Sequence, residues 1–192
     1  MAWRKRRGVP MAIKKEYMLA ITTAAFTIIL FSWFVLCAGK LTAFFILWTA
    51  MLLTFSFMAM LVDIRKRCIP NKLVLGMFTG WLLLTAPKLL LDTQAGIPIL
   101  TDSVIGALIG GGVFLSVYLL SRRGLGGGDV KFMAAAGLYL GFGGTLPAIL
   151  YGTVLAALSG LILIALKRIK RKDTIPLAPF LFAGIMITVF TT

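Results

Sequence analysis

The stretch LTAFFILWTAMLLTFSFMAMLVDIRKRCIPN, residues 41–71, decides the fold class. From Leu41 to Leu61 it carries no charged side chain, a run of about the twenty residues that a helix needs to cross a bilayer core. Asp63 follows at once, then the basic cluster Arg65, Lys66 and Arg67, then Pro70, which cannot sit inside a regular helix without breaking a hydrogen bond. Similar apolar segments predict further spans at 18–38, 73–86, 104–120, 133–145, 146–166 and 176–191. Sixty per cent of the 192 residues are hydrophobic, well above the roughly 45–50% of a soluble domain. The expectation is an all-α, polytopic membrane bundle of six to seven transmembrane helices. Residues 1–17 form a basic N-terminal segment and 18–192 a single transmembrane domain. The run at 18–38 is too long for the ~7–15 apolar residues of a signal peptide and reads as a retained first helix.

The net charge of +14 tests this reading. An N-terminus in the cytoplasm and strict alternation across seven spans place every Lys and Arg at the cytoplasmic face except Lys40 and Lys88, as the positive-inside rule requires. The C-terminus then lies outside, and both Asp63 and Asp129 lie at the cytoplasmic face. The basic clusters favour anionic membrane lipids. No aromatic residues interleave with them as a base-stacking surface would need, so nucleic acid is not an expected partner. The sequence has no His, and its two cysteines, Cys37 and Cys68, form no Cys-x-x-Cys pair. The cysteines read as small apolar fillers near opposite faces, and no metal or cofactor is expected.

Working along the chain, the span from residue 73 is expected to end at Pro87. The mixed stretch KLLLDTQAGIPILTD, 88–102, is expected to lie in the interface. Gly106 and Gly110, and Gly152, Ala156 and Gly160, recur at four-residue spacing. Small residues so placed let helices approach closely in lipid.

Chemistry concentrates in two carboxylates. The acidic residues number six against twenty Lys and Arg. Asp63 closes the second span, and Asp129 follows Gly126, Gly127 and Gly128 immediately before the fifth. Each has a plainer reading: Asp63 as an interfacial ion pair with the basic cluster beside it, Asp129 as a helix N-cap. The three glycines provide backbone freedom and admit another chain closely. They match neither G-x-G-x-x-G nor a Walker A motif. Two carboxyls within a few ångströms share a proton. One can then act as base toward water while the other polarises a carbonyl. With no His present, triad and zinc-hydrolase mechanisms lack their usual base or ligand, which leaves aspartic peptide hydrolysis.

Gly126-Gly127-Gly128-Asp129 with Val130-Lys131 resembles the G-x-G-D motif of the type IV prepilin peptidases, a family of membrane aspartyl proteases. VDIRKRCIPN, 62–71, is similar to that family's first aspartate motif, and IPLAPFLFAG, 175–184, to its Ile-Pro-x-x-Pro-Phe segment. The resemblance covers about residues 41–190. It implies that Asp63 and Asp129 are the catalytic pair and that Gly126 and Gly128 shape the loop bringing Asp129 toward Asp63. It also implies that Lys131 sits beside the pair, that Pro70 and Asn71 turn the chain into the third span, and that Pro176 and Pro179 break the start of the last span near the site. Its substrate would be a prepilin or pseudopilin, of a type IV pilus or secretion system, with a basic leader. That leader would be cleaved after Gly at the cytoplasmic face of the inner membrane. Members that also N-methylate the product do so with a domain bearing two Cys-x-x-Cys pairs, so methylation is not expected here. Presenilin-like proteases carry Tyr-Asp and Pro-Ala-Leu, where this chain has Val62-Asp63 and Pro-Leu-Ala-Pro. The remaining alternative is a small transporter or assembly subunit whose aspartates handle protons or ions.

Overall fold

The computed structural model describes residues 43–121, 125–167 and 175–191. They form five helices: α1 (Ala43–Lys66), α2 (Asn71–Leu91), α3 (Thr93–Leu120), α4 (Gly127–Ala165) and α5 (Ala178–Thr191). Among the described residues there is no strand. The first predicted span, the basic segment 1–17 and Cys37 lie outside the described residues. Helices α1 to α4 are each long and apolar enough to cross a membrane; α5, with 14 residues, is shorter.

Several predicted ends move. The second helix does not stop at Pro87 but continues through it to Leu91. Proline removes one backbone hydrogen bond, about 3 kcal/mol. Ending a helix in apolar surroundings would strand several N–H and C=O groups at several kcal/mol each, so the helix carries on. The stretch 88–102 is therefore helical on both sides of Asp92. Asp92 alone separates α2 from α3, donating its N–H to Lys88 O and accepting from Ala95 N through its carboxyl. The third helix starts eleven residues before the predicted 104, at Thr93, with Pro98 inside it.

The larger difference is at the predicted boundary between 133–145 and 146–166. Helix α4 begins at Gly127, and the break falls at Gly141, whose φ of 64° and ψ of −169° are not helical. The site of Gly110 on α3 lies against both the Met133 carbonyl and the Thr145 side chain. A straight helix would hold those two residues about 18 Å apart at ~1.5 Å per residue. The chain therefore doubles back at Gly141. Asp102 on α3 fixes the reversal: its Oδ1 accepts from Phe142 N at 2.9 Å, the first free N–H of the returning half.

Pairwise registers show that the legs alternate in direction. Phe55 meets Gly76 and Met51 meets Gly80 between α1 and α2. Trp81 Nε1 donates to Ser103 Oγ, and Leu89 meets Gly96, between α2 and α3. Gly106 lies on Gly137, and Gly110 on Met133, between α3 and the outgoing half of α4. The returning half carries Gly152 and Ala148 against Gly184, and Gly144 against Thr188, of α5. The small-residue spacing read from the sequence thus sits at both close helix crossings. The outgoing half of α4 is central: Trp48 Nε1 donates to Tyr139 O at 2.7 Å, and Tyr139 Oη donates to Met77 O at 2.7 Å. Buried polar groups paired in this way tie α1 and α2 to α4.

Candidate active site

Buried positions on α1 include Leu52, Ser56, Ala59 and Asp63, spaced by four, three and four residues. That is one helical face, so Asp63 ends the buried stripe and points into the bundle. It is 6% exposed. Its Oδ2 accepts a hydrogen bond from Ala178 N, the first residue of α5, at 3.1 Å. Beyond Lys66 the chain turns through Arg67, whose φ is 49°, and Pro70 caps α2 with φ −71° and ψ 140°. Leu73 N closes the turn on Pro70 O at 3.0 Å, and α2 begins at Asn71.

Asp129 is not the N-cap of its helix. Gly126 holds that position in an extended conformation, and Gly127 and Gly128 already belong to the first turn of α4. The Asp129 N–H donates to Gly126 O at 3.1 Å, and its Oδ2 lies over Gly126, where a Cβ would come within 2.8 Å. None of the three glycines takes a positive φ, and two of the three are helical rather than loop residues. What Gly128 provides is room. A Cβ there would meet Ile69 of the α1–α2 turn at 3.2–3.4 Å, side chain and backbone together. That approach brings the start of α4 against the end of α1. Asp129 is half-buried, and Asp63 and Asp129 lie close enough to interact electrostatically.

Three separated sequence motifs thus converge at one end of the bundle: the last turn of α1, the first turn of α4 and the first turn of α5. Pro176 lies two residues before α5 and Pro179 is its second residue. Lys131 Nζ donates to Asn71 Oδ1 at 3.1 Å, bridging α4 to the start of α2. The two residues close one end of a groove of about 690 Å³, whose walls are Val74, Leu75, Phe78, Ala107, Ala134 and Leu138, with Lys72 also lining it. Cys68 is free and exposed rather than a buried filler. The sequence reading did not find the Ala178 N–H or the groove. The Pro-x-x-Pro spacing was the available signal for the first; a groove between three helices has no local signature.

The type IV leader peptidase family model matches residues 50–161. The prepilin leader peptidase/N-methyltransferase of Aeromonas salmonicida (strain A449) is 30% identical over 181 residues, 91% of this chain and 58% of that protein. The proteins of the same name from Aeromonas hydrophila and Escherichia coli (strain K12) are 32% and 36% identical, over 74% and 72% of this chain and 47% and 61% of their own lengths. The chain therefore spans about half to three fifths of these curated relatives. No solved structure matches it.

Proposed function

The chain belongs to the type IV leader peptidase family, and on that basis we propose that it is a membrane aspartic endopeptidase. Its substrates would be type IV prepilins or pseudopilins, cut after the Gly that ends their basic leader. The observation that carries the proposal is the convergence of Asp63 and Asp129, from helices distant in sequence, at one end of a chain otherwise poor in carboxylates. One carboxylate takes a proton from water as the resulting hydroxide adds to the scissile carbonyl carbon. The other, protonated, donates to the carbonyl oxygen. Collapse of the tetrahedral intermediate breaks the C–N bond, and the leaving nitrogen takes up a proton. One water is consumed and the pair returns to a single shared proton.

The charge partition of the sequence supports a cytoplasmic position for this end of the bundle and a multi-pass location in the inner membrane. The basic clusters there would also hold anionic lipid. The apolar groove ending at Asn71 and Lys131, each within two residues of Pro70 or Asp129, offers a seat for the apolar helix that follows the scissile bond. Methyl transfer, the other half of the relatives' printed name, is not part of the proposal, because the chain has no Cys-x-x-Cys pair. Co-expression with a prepilin tests the reading. Wild type removes the leader, and Asp63→Asn and Asp129→Asn each slow removal by about 10²–10⁴-fold, the usual worth of a proton-transferring group. Full leader removal by either variant refutes the paired mechanism.

A further inference from the structure

The first turn of α5 has an unusual hydrogen-bond inventory. A helix begins with N–H groups that have no intrahelical acceptor. Here Phe180 N and Leu181 N both donate to Leu177 O, at 3.0 and 3.1 Å. Pro179 has no N–H to give. That leaves Ala178 N, buried with its side chain 0% exposed, and its acceptor is Asp63 Oδ2 at 3.1 Å, across 115 residues of sequence. The helix that makes this bond is held firmly on both sides. Gly184 fits against Ala148 and Gly152 of α4, and the Phe182 ring lies 5.7 Å from that of Phe57 on α1.

We propose that the Ala178 N–H is a positioning group for the reaction: it fixes the rotation of the Asp63 carboxyl through Oδ2 and leaves Oδ1 to share the proton with Asp129 and the attacking water. The Pro176-Leu177-Ala178-Pro179 segment then has a physical purpose. Pro179 removes a competing donor and Leu177 O absorbs the next two, so a single N–H is presented to the buried carboxyl. A carboxyl without that bond turns about its Cβ–Cγ axis, and neither oxygen is held for the proton transfer. Misplacement on the scale of an ångström costs about 10²-fold in rate. The inference rests on the peptidase reading, and its test separates the two.

Ala178→Pro deletes the donor but adds ring atoms where the residue is 0% exposed, so its unfolding midpoint is compared with wild type to separate overpacking from the lost bond. Proline is accepted at the first helical position, and Leu177 holds the N-cap place, its carbonyl accepting from Phe180 N and Leu181 N, a place whose usual extended backbone also suits a following proline. The expected result is a kcat about 10²-fold lower with KM for prepilin unchanged. Ala178→Gly, which retains the N–H, should restore kcat to within about threefold of wild type. A wild-type kcat in Ala178→Pro, or a change confined to KM, overturns the proposal. Hydrogen exchange at residues 177–181 provides a second readout that needs no turnover. Asp63→Asn keeps an oxygen acceptor and should keep the Ala178 amide protected, whereas Asp63→Leu should exchange at least about tenfold faster. Equal protection in the two overturns the contact. Failure of wild type to cleave any prepilin would instead sink the peptidase reading and leave the exchange result standing.

Discussion

Substituting alanine for Gly141 tests the reversal on which the site's assembly depends. Its φ of 64° and ψ of −169° fall in a region that residues with a Cβ adopt only at a cost of about 1–3 kcal/mol. The added methyl also has nowhere to go, because the Asp102 carboxyl already occupies the place it would take. Asp102 must swing away and give up its bond to Phe142 N, 2.9 Å long. Losing a hydrogen bond to a charged group costs about 1.5–3 kcal/mol. Together these give a destabilisation of about 2.5–6 kcal/mol, a large part of the ~5–15 kcal/mol that holds a typical domain folded. Gly143, two residues on, is the control. It is helical, and a methyl added there would meet nothing within 4 Å, so Gly143→Ala should be neutral or stabilising by up to about 1 kcal/mol. Equilibrium unfolding of the purified variants in mixed micelles measures both. A double-mutant cycle sharpens the result: in an Asp102→Ala background the obstacle and the bond are already gone, and Gly141→Ala should cost only the backbone strain, about 1–3 kcal/mol. If Gly141→Ala and Gly143→Ala unfold alike, the chain does not reverse at residue 141 and the placement of α5 beneath Asp63 is wrong.

The close crossing of α3 and α4 predicts a second contrast. Gly106→Leu drives a side chain into the Gly137 and Gly141 backbone and should destabilise by at least about 1–3 kcal/mol, the cost of overpacking, in the same unfolding assay. Gly112→Ala, which meets nothing within 4 Å, should not. In the groove, Ala134→Trp fills space among Val74, Leu75 and Phe78. It should raise KM for full-length prepilin about tenfold or more while leaving the cleavage of a leader peptide without the apolar helix unchanged. An equal effect on both substrates would show that the groove does not seat that helix.

The class of fold and the two candidate carboxylates were legible in the sequence because both rest on properties that one chain displays locally. Uncharged runs of bilayer length declare membrane helices whatever they pack against. In a chain with six acidic residues, the two that close or open such runs stand out. Helix ends were less legible. A proline that ends a helix in water is carried through in an apolar setting, as at Pro87 and Pro98, because unpaired backbone costs more there than one lost bond. Facing was not legible at all. Helices that are apolar on every side carry no periodic signal of which side is buried. Only the packed bundle shows that Leu52, Ser56, Ala59 and Asp63 share the inner stripe of α1. The glycines before Asp129 read as backbone freedom, yet two of them lie in the first turn of α4 and Gly128 leaves room for Ile69. A glycine's sequence neighbours say nothing of whether it provides a turn or a space. The Ala178 N–H on Asp63 belongs to no side-chain motif. Backbone donors are identical along the chain, and which one meets a buried carboxyl is decided by how α5 docks between α1 and α4.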